Sequence, residues 1–174
     1  MSTPAKRRLM KDLRTVRTSL DKTIFAEPLE DDLMTWVAVV LGPEETPFES
    51  GTFSLVLKFP ETYPQDPPNV KFISEMFHPN IYPSGDLCLD ILNNRWNPSY
   101  DVMGVLISIQ SLLNDPNTKS PANLDAASLF ASDPDAYAKR VRQLVVKSWI
   151  DVELQAQKDE PKNSISTSTA NSDP

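Results

Sequence analysis

Three prolines fall within five residues in the stretch Tyr63-Pro64-Gln65-Asp66-Pro67-Pro68. Proline has no amide proton and a fixed φ, so neither a helix interior nor a central strand can run through such a stretch. It must be a stiff, extended connection, and the chain on its two sides has to be read separately. The wider bias points the same way: sixteen prolines against four glycines predict defined connections rather than flexible ones.

On the N-terminal side, Thr3-Pro4 opens a helix, with threonine as N-cap and proline at the first helical position. Leu9, Leu13, Val16 and Leu20 then recur at helical spacing. Lys6, Arg7, Lys11, Arg14 and Arg17 fall mostly off that stripe, which composition alone leaves as a solvated face or a positive docking surface. From Thr23 the period changes. A short strand is expected over Thr23–Glu27, a second over Leu33–Leu41, and a third over Thr52–Phe59, where Phe53, Leu55, Leu57 and Phe59 alternate onto one face. Turn signals at Gly42-Pro43 and Glu49-Ser50-Gly51 separate the last two. Beyond the prolines, Val70–Ile73 makes a fourth. Strands joined by short connections predict an antiparallel meander.

Helical spacing returns at Val102, Val105, Leu106, Ile109, Leu112 and Leu113, with Asp101 as N-cap. Two more helices follow, one from about Ala122 to Ala131 and one starting at Asp133-Pro134 with the stripe Tyr137, Val141, Leu144, Val145 and Trp149. The expected class is therefore α+β: an N-terminal helix, a four-stranded antiparallel meander, an irregular loop, then three helices. Apolar periodicity fades past Asp151. One domain is expected over residues 1–151, and a polar, disordered tail over 152–174, where Ile165 is the only large apolar residue from Lys162 onward.

The irregular loop, Met76 to Asp101, holds the only cysteine, Cys88, and the only histidine, His78. One of each cannot build a typical zinc site or an intramolecular disulfide, so no metal is expected and the compartment is a reducing one, nucleus or cytoplasm. A net charge of −7 argues against general nucleic-acid binding, which rests on cations neutralising phosphates. No apolar run approaches the length of a membrane span, and Met1–Leu13 has no secretory apolar core.

A lone cysteine is most often inert packing. Here Leu87, Leu89 and Ile91 alternate with Cys88 and Asp90, so in an extended segment the thiol and the carboxylate would face outward together. A cysteine peptidase would need His78 as its base. An acyl carrier would not: about a few per cent of an ordinary thiol is thiolate at neutral pH. Its harder step is attack by an amine, which forms an oxyanion needing a hydrogen-bond donor. Asn80 is a candidate donor. The attacking lysine must also lose a proton, since only roughly one in 2,500 is neutral at pH 7, and Asp90 is a candidate to orient it or take that proton.

His78-Pro79-Asn80, with Cys88 eight residues after Asn80 in Gly85-Asp86-Leu87-Cys88-Leu89-Asp90-Ile91-Leu92, resembles the signature of ubiquitin-conjugating enzymes. Tyr63-Pro64, Pro67-Pro68, Trp96-Asn97-Pro98 and Leu112–Asn117 match further landmarks, so the resemblance covers about Thr3 to Trp149. Met1–Ala5, Arg8-Leu9-Met10, Ser74–Phe77 and Ser120–Asn123 resemble the radiation-sensitivity, DNA-repair branch, whose members ubiquitinate a histone and a replication clamp with RING-type ligases.

The resemblance implies that Cys88 takes ubiquitin from an activating enzyme and passes it to substrate lysines. It implies that Asn80 stabilises the oxyanion or holds the loop, and that His78 is structural. It places Asp90, Tyr82 and Ser120 on the incoming-lysine side. Ser120 stands where many members carry an acid, and Ser120-Pro121 resembles a proline-directed kinase site. The resemblance also makes Arg7, Lys11, Gln65, Pro98 and Ser99 the surface for activating enzyme and ligase, and Ile107 a contact for bound ubiquitin. Gln65 departs from the large aromatic of many members. No cofactor is implied, and no phosphate-binding glycine loop is present for ATP. Two other readings share the fold: a carrier of another ubiquitin-like modifier, and a non-catalytic ubiquitin-binding module, which would lack the cysteine.

Overall fold

The computed structural model describes residues 2–159, with side chains as far as 151. Its first helix, α1 (Pro4–Thr18), begins where the Thr3 hydroxyl accepts the Lys6 amide. Leu9 and Leu13 are buried and Val16 packs partly against the same core. Leu20 does not belong to that stripe: the helix has ended, Ser19 is extended, and Leu20 is 91% exposed. Helical spacing carries no meaning past the last helical residue.

Four strands follow, β1 (Ile24–Leu29), β2 (Asp32–Leu41), β3 (Thr52–Lys58) and β4 (Asn69–Phe72). They pair in sequence order, each antiparallel to the next. Alternation sorts their side chains into two faces. Ile24, Ala26, Trp36, Ala38, Val40, Phe53, Leu55, Leu57, Val70 and Phe72 are buried, whereas Phe25, Val37 and Ile73 are exposed on the opposite face. Among the described residues the helices cover only the first face: α1 rests against β1 and β2, α2 (Val102–Asn114) against α1 and the same strands, and α4 (Pro134–Asp159) against β3. A smaller helix, α3 (Leu124–Ser132), packs on α4.

Each later helix opens on a side-chain cap: Asp101 accepts the Gly104 amide, Asn123 the Ala126 amide and Asp133 the Ala136 amide. Such caps stabilise by about 1 kcal/mol each. All six stripe residues expected on α2 are buried, and Met103 joins them. On α4, Tyr137, Val141 and Val145 are buried, but Trp149 is 43% exposed. Its indole N–H donates to the Ser50 carbonyl at 2.7 Å, and the buried Ser148 hydroxyl accepts the Thr52 amide. The end of the stripe therefore braces the loop before β3. In that loop Ser50 has φ 67°, the left-handed region.

The helix α4 continues to Asp159, past the boundary at 151 that fading periodicity suggests. The remainder of the expected tail lies outside the described residues.

Candidate active site

The approach to the thiol is built by turns. Pro83, Ser84 and Gly85 reverse the chain, with the Gly85 amide donating to the Tyr82 carbonyl and the Tyr82 amide to the Asp86 carbonyl. Gly85 has φ +95°, and a β-carbon there would lie 2.2 Å from the Phe72 carbonyl oxygen, so only glycine fits. The same turn pairs with β4: the Phe72 amide donates to the Gly85 carbonyl at 2.9 Å, and Lys71 bridges Asp86.

His78 is fully buried, with its ring 5.9 Å from that of Phe48. The Asn80 amide donates to Nδ1 at 3.0 Å. A backbone N–H can only donate, so Nδ1 is the acceptor and Nε2 carries the proton. That proton goes to the Leu112 carbonyl, 2.7 Å away at the end of α2. Burial pushes the imidazole down to about 4, against the Leu112 bond, which favours the charged form. Both nitrogens are occupied. His78 ties the loop to α2 and has no nitrogen free for a thiol, so the peptidase reading loses its base.

Asn80, 1% exposed, ties the loop to a second segment. Its Oδ1 accepts the Asn117 amide at 2.8 Å, and its Nδ2 donates to the Asn117 carbonyl at 2.7 Å and to the Ser120 carbonyl at 3.4 Å. The Pro79 carbonyl adds two bonds, from the amides of Ala122 and Asn123. The Asn80 carbonyl accepts the Cys88 amide at 2.9 Å, fixing the thiol's backbone. In this arrangement the Asn80 side chain spends both amide protons on holding residues 117–120, and an oxyanion would have to compete for them.

Cys88 is a free thiol, partly exposed. It lines a cleft with Asn80, Leu89, Asp90, Asn93, Asn94, Leu112, Asn117 and Ser120. The outward pairing of Cys88 and Asp90 arises differently from the alternation expected: the extended segment ends at Leu89, and Asp90–Leu92 is a turn of 3-10 helix. Leu87, Leu89 and Leu92 pack against the core, so Leu92 takes the place expected for Ile91. The Asp90 carboxylate is exposed, 3.7 Å from the Arg95 guanidinium. Tyr82 is 45% exposed in the turn and does not line the cleft. Among the described residues, Asn93, Asn94 and Asn117 are the lining groups that sequence reasoning passed over. Asparagines in a loop read as turn formers, and Asn117 belongs to the cleft only through its bonds to Asn80.

The remaining candidates lie elsewhere. Arg7 and Lys11 are exposed on α1, Gln65 is exposed, and Ser99 is exposed beside a half-buried Pro98. Hydrogen bonds from Arg8 to the Pro98 carbonyl, and from the Trp96 indole to the Pro64 carbonyl, draw these three segments together. Ile107 is 43% exposed on α2, off the buried stripe.

A four-stranded meander backed by helices, with one thiol in an asparagine-lined cleft and no imidazole to activate it, defines a class: an acyl carrier rather than a peptidase. The comparisons make it specific. Residues 8–145 match the family model described as ubiquitin-conjugating enzyme. The chain is 60% identical over 151 residues to "Ubiquitin-conjugating enzyme E2 2" of Fusarium solani, covering 87% of this chain and all of that protein. It is 60% identical over 149 residues to the protein of that name in Debaryomyces hansenii, covering 86% and 89% of the two chains. With the one from Kluyveromyces lactis it shares 55% over 161 residues, 92% of this chain and 98% of that one. The chain belongs to the ubiquitin-conjugating enzyme family and is an acyl transferase that works through a cysteine thioester.

Proposed function

We propose that Cys88 accepts the C-terminal carboxyl of ubiquitin from an activating enzyme and passes it to substrate lysines with a RING-type ligase. The observation that carries this reading is the position of the chain's only cysteine in a cleft whose polar lining is four asparagines, Ser120 and Asp90. Transthiolation needs no strong base: the Cys88 thiolate attacks the activating enzyme's thioester, and that enzyme's thiolate leaves. The acceptor amine then attacks the new thioester, gives its proton to Asp90 or to water, and the Cys88 thiolate is expelled. Asp90 and Ser120 border the path of the amine, and Asn80 keeps the 117–120 wall in place. Tyr82 stands outside the cleft, at its approach.

Arg7, Lys11, Gln65, Pro98 and Ser99 form the docking surface for activating enzyme and ligase, and Ile107 contacts ubiquitin folded back onto α2. The likeness of Met1–Ala5 and Ser120–Asn123 to the DNA-repair branch supports a role in damage tolerance and histone ubiquitination, in nucleus and cytoplasm.

The test is charging with activating enzyme, ATP and a panel of ubiquitin-like modifiers, resolved without reductant. A thiol-sensitive ubiquitin adduct is expected, with Cys88→Ser giving a thiol-resistant ester and Cys88→Ala none. Normal charging of Cys88→Ala would overturn the mechanism. Charging only by another modifier would make the chain that modifier's carrier.

A further inference from the structure

We infer that Arg8 and Asp12 are positioning residues that lock residues 97–100 and the proline-rich connection onto α1 as one docking face; this rests on the ligase-surface reading above. The Arg8 guanidinium spends its three nitrogens on three acceptors. Nε donates to Asp12 Oδ1 at 2.9 Å, one terminal nitrogen to the Pro98 carbonyl at 2.7 Å and the other to the Tyr100 carbonyl at 2.8 Å. The flat fork of arginine suits this bridging, and a lysine ammonium would not reproduce it.

Asp12 closes the other half. Its carboxylate is 2% exposed, and Oδ2 accepts both the Tyr63 hydroxyl and the Val102 amide. Tyr63, itself 2% exposed, lies beneath the Arg8 guanidinium at 5.7 Å. Burial pushes its hydroxyl well above the usual range, so it stays a donor at any physiological pH. Trp96 packs on the Tyr63 ring at 6.1 Å while its indole N–H reaches the Pro64 carbonyl.

A buried carboxylate is expensive to desolvate and contributes little net stability even when paired. The apolar stripe of α1 already anchors the helix through Leu9 and Leu13. What the pair adds is placement. Residues 97–100 belong to no strand or helix, and among the described residues their other bonds are local, from Ser99 to Asn97 and from Tyr100 to Asn97. Arg8 fixes their distance from Arg7 and Lys11, and Asp12 with Tyr63 fixes the Gln65 segment against the same helix.

The experiment uses the preformed ubiquitin thioester of the full chain in single-turnover discharge to free lysine. The probe is an isolated RING domain chosen beforehand because it accelerates discharge of the unaltered protein. Asp12→Asn and Tyr63→Phe are expected to raise the RING concentration for half-maximal stimulation about tenfold, equal to about 1.4 kcal/mol. The plateau rate and the ligase-free discharge stay within about twofold. Arg8→Lys recovers only part of what Arg8→Ala loses. In Arg8→Ala, amide exchange at Tyr100 speeds up while that at Leu106 does not change.

Asp12 and Tyr63 are too buried to touch a partner, so a shift there reports positioning. If Arg8→Ala alone is impaired, Arg8 contacts the ligase directly and the inference falls. Gln65→Lys and Ser99→Glu separate the two levels. Lost stimulation in these, with none lost in Asp12→Asn or Tyr63→Phe, overturns only the positioning role. Full stimulation in all of them overturns the docking surface and the inference with it.

Discussion

His78 is the only imidazole of the chain, so its titration can be followed without ambiguity. Unfolded, it binds a proton near 6.5; folded, near 4. Between those values the unfolded state holds more protons, so the contribution is fully present above about 6.5 and is lost as pH falls toward about 4. The ring-proton NMR shifts are expected to stay flat from about pH 7.5 to about 5, and the urea midpoint to fall across the lower part of that range. A ring that titrates near 6.5 would mean a solvated loop. Asn80→Ala belongs to the same scale. It strips the Asn117 amide and carbonyl of their partner, at a cost of about 1–3 kcal/mol. Charging should survive while lysine discharge slows. Unchanged discharge would remove Asn80 from the chemistry, as oxyanion donor and as wall support alike.

The elements make their own predictions. Gly85→Ala places a β-carbon against the Phe72 carbonyl in a backbone that side chains rarely adopt. It should cost about 2 kcal/mol or more and release the Phe72–Gly85 bond, seen as faster amide exchange at Phe72. Ser50→Gly relieves the opposite fault, a side chain at φ 67°, and should leave the melting temperature unchanged or raise it slightly.

Most of these elements were legible because one face of each is buried. The alternation of β3 and the stripe of α2 are direct images of the core. Legibility stopped where geometry, not hydrophobicity, decides. Leu20 has the right spacing beyond a helix that has ended, and Ile91 falls in a tight turn that hands its place to Leu92. At the site, the His78-Pro79-Asn80 and Cys88 spacing was readable. The bonds from Asn80 to Asn117 and from Arg8 across ninety residues to Pro98 join segments that no local pattern connects. Asp12 was hidden among basic neighbours, its burial arising wholly from tertiary partners.

For the whole molecule, charge is unevenly placed. Six of the seventeen basic residues lie on α1, with Asp12 its only acid, on a chain of net charge −7. Docking through that helix should be steered electrostatically. Charging rates are expected to drop several-fold between about 50 and 300 mM salt, and an Arg7→Glu, Lys11→Glu double variant should flatten that dependence. Salt-indifferent charging of the unaltered protein would exclude steering by α1. The sheet has a further consequence. A meander has two open margins, and unpaired strand margins invite chains to polymerise. Along β1, Pro28 and the shift in register beside it interrupt the margin. Along β4, the Gly85–Asp86 turn occupies it. The turn leading to the thiol therefore also works as a guard rail. Substitutions that loosen it should show first as aggregation on storage, before any loss of turnover.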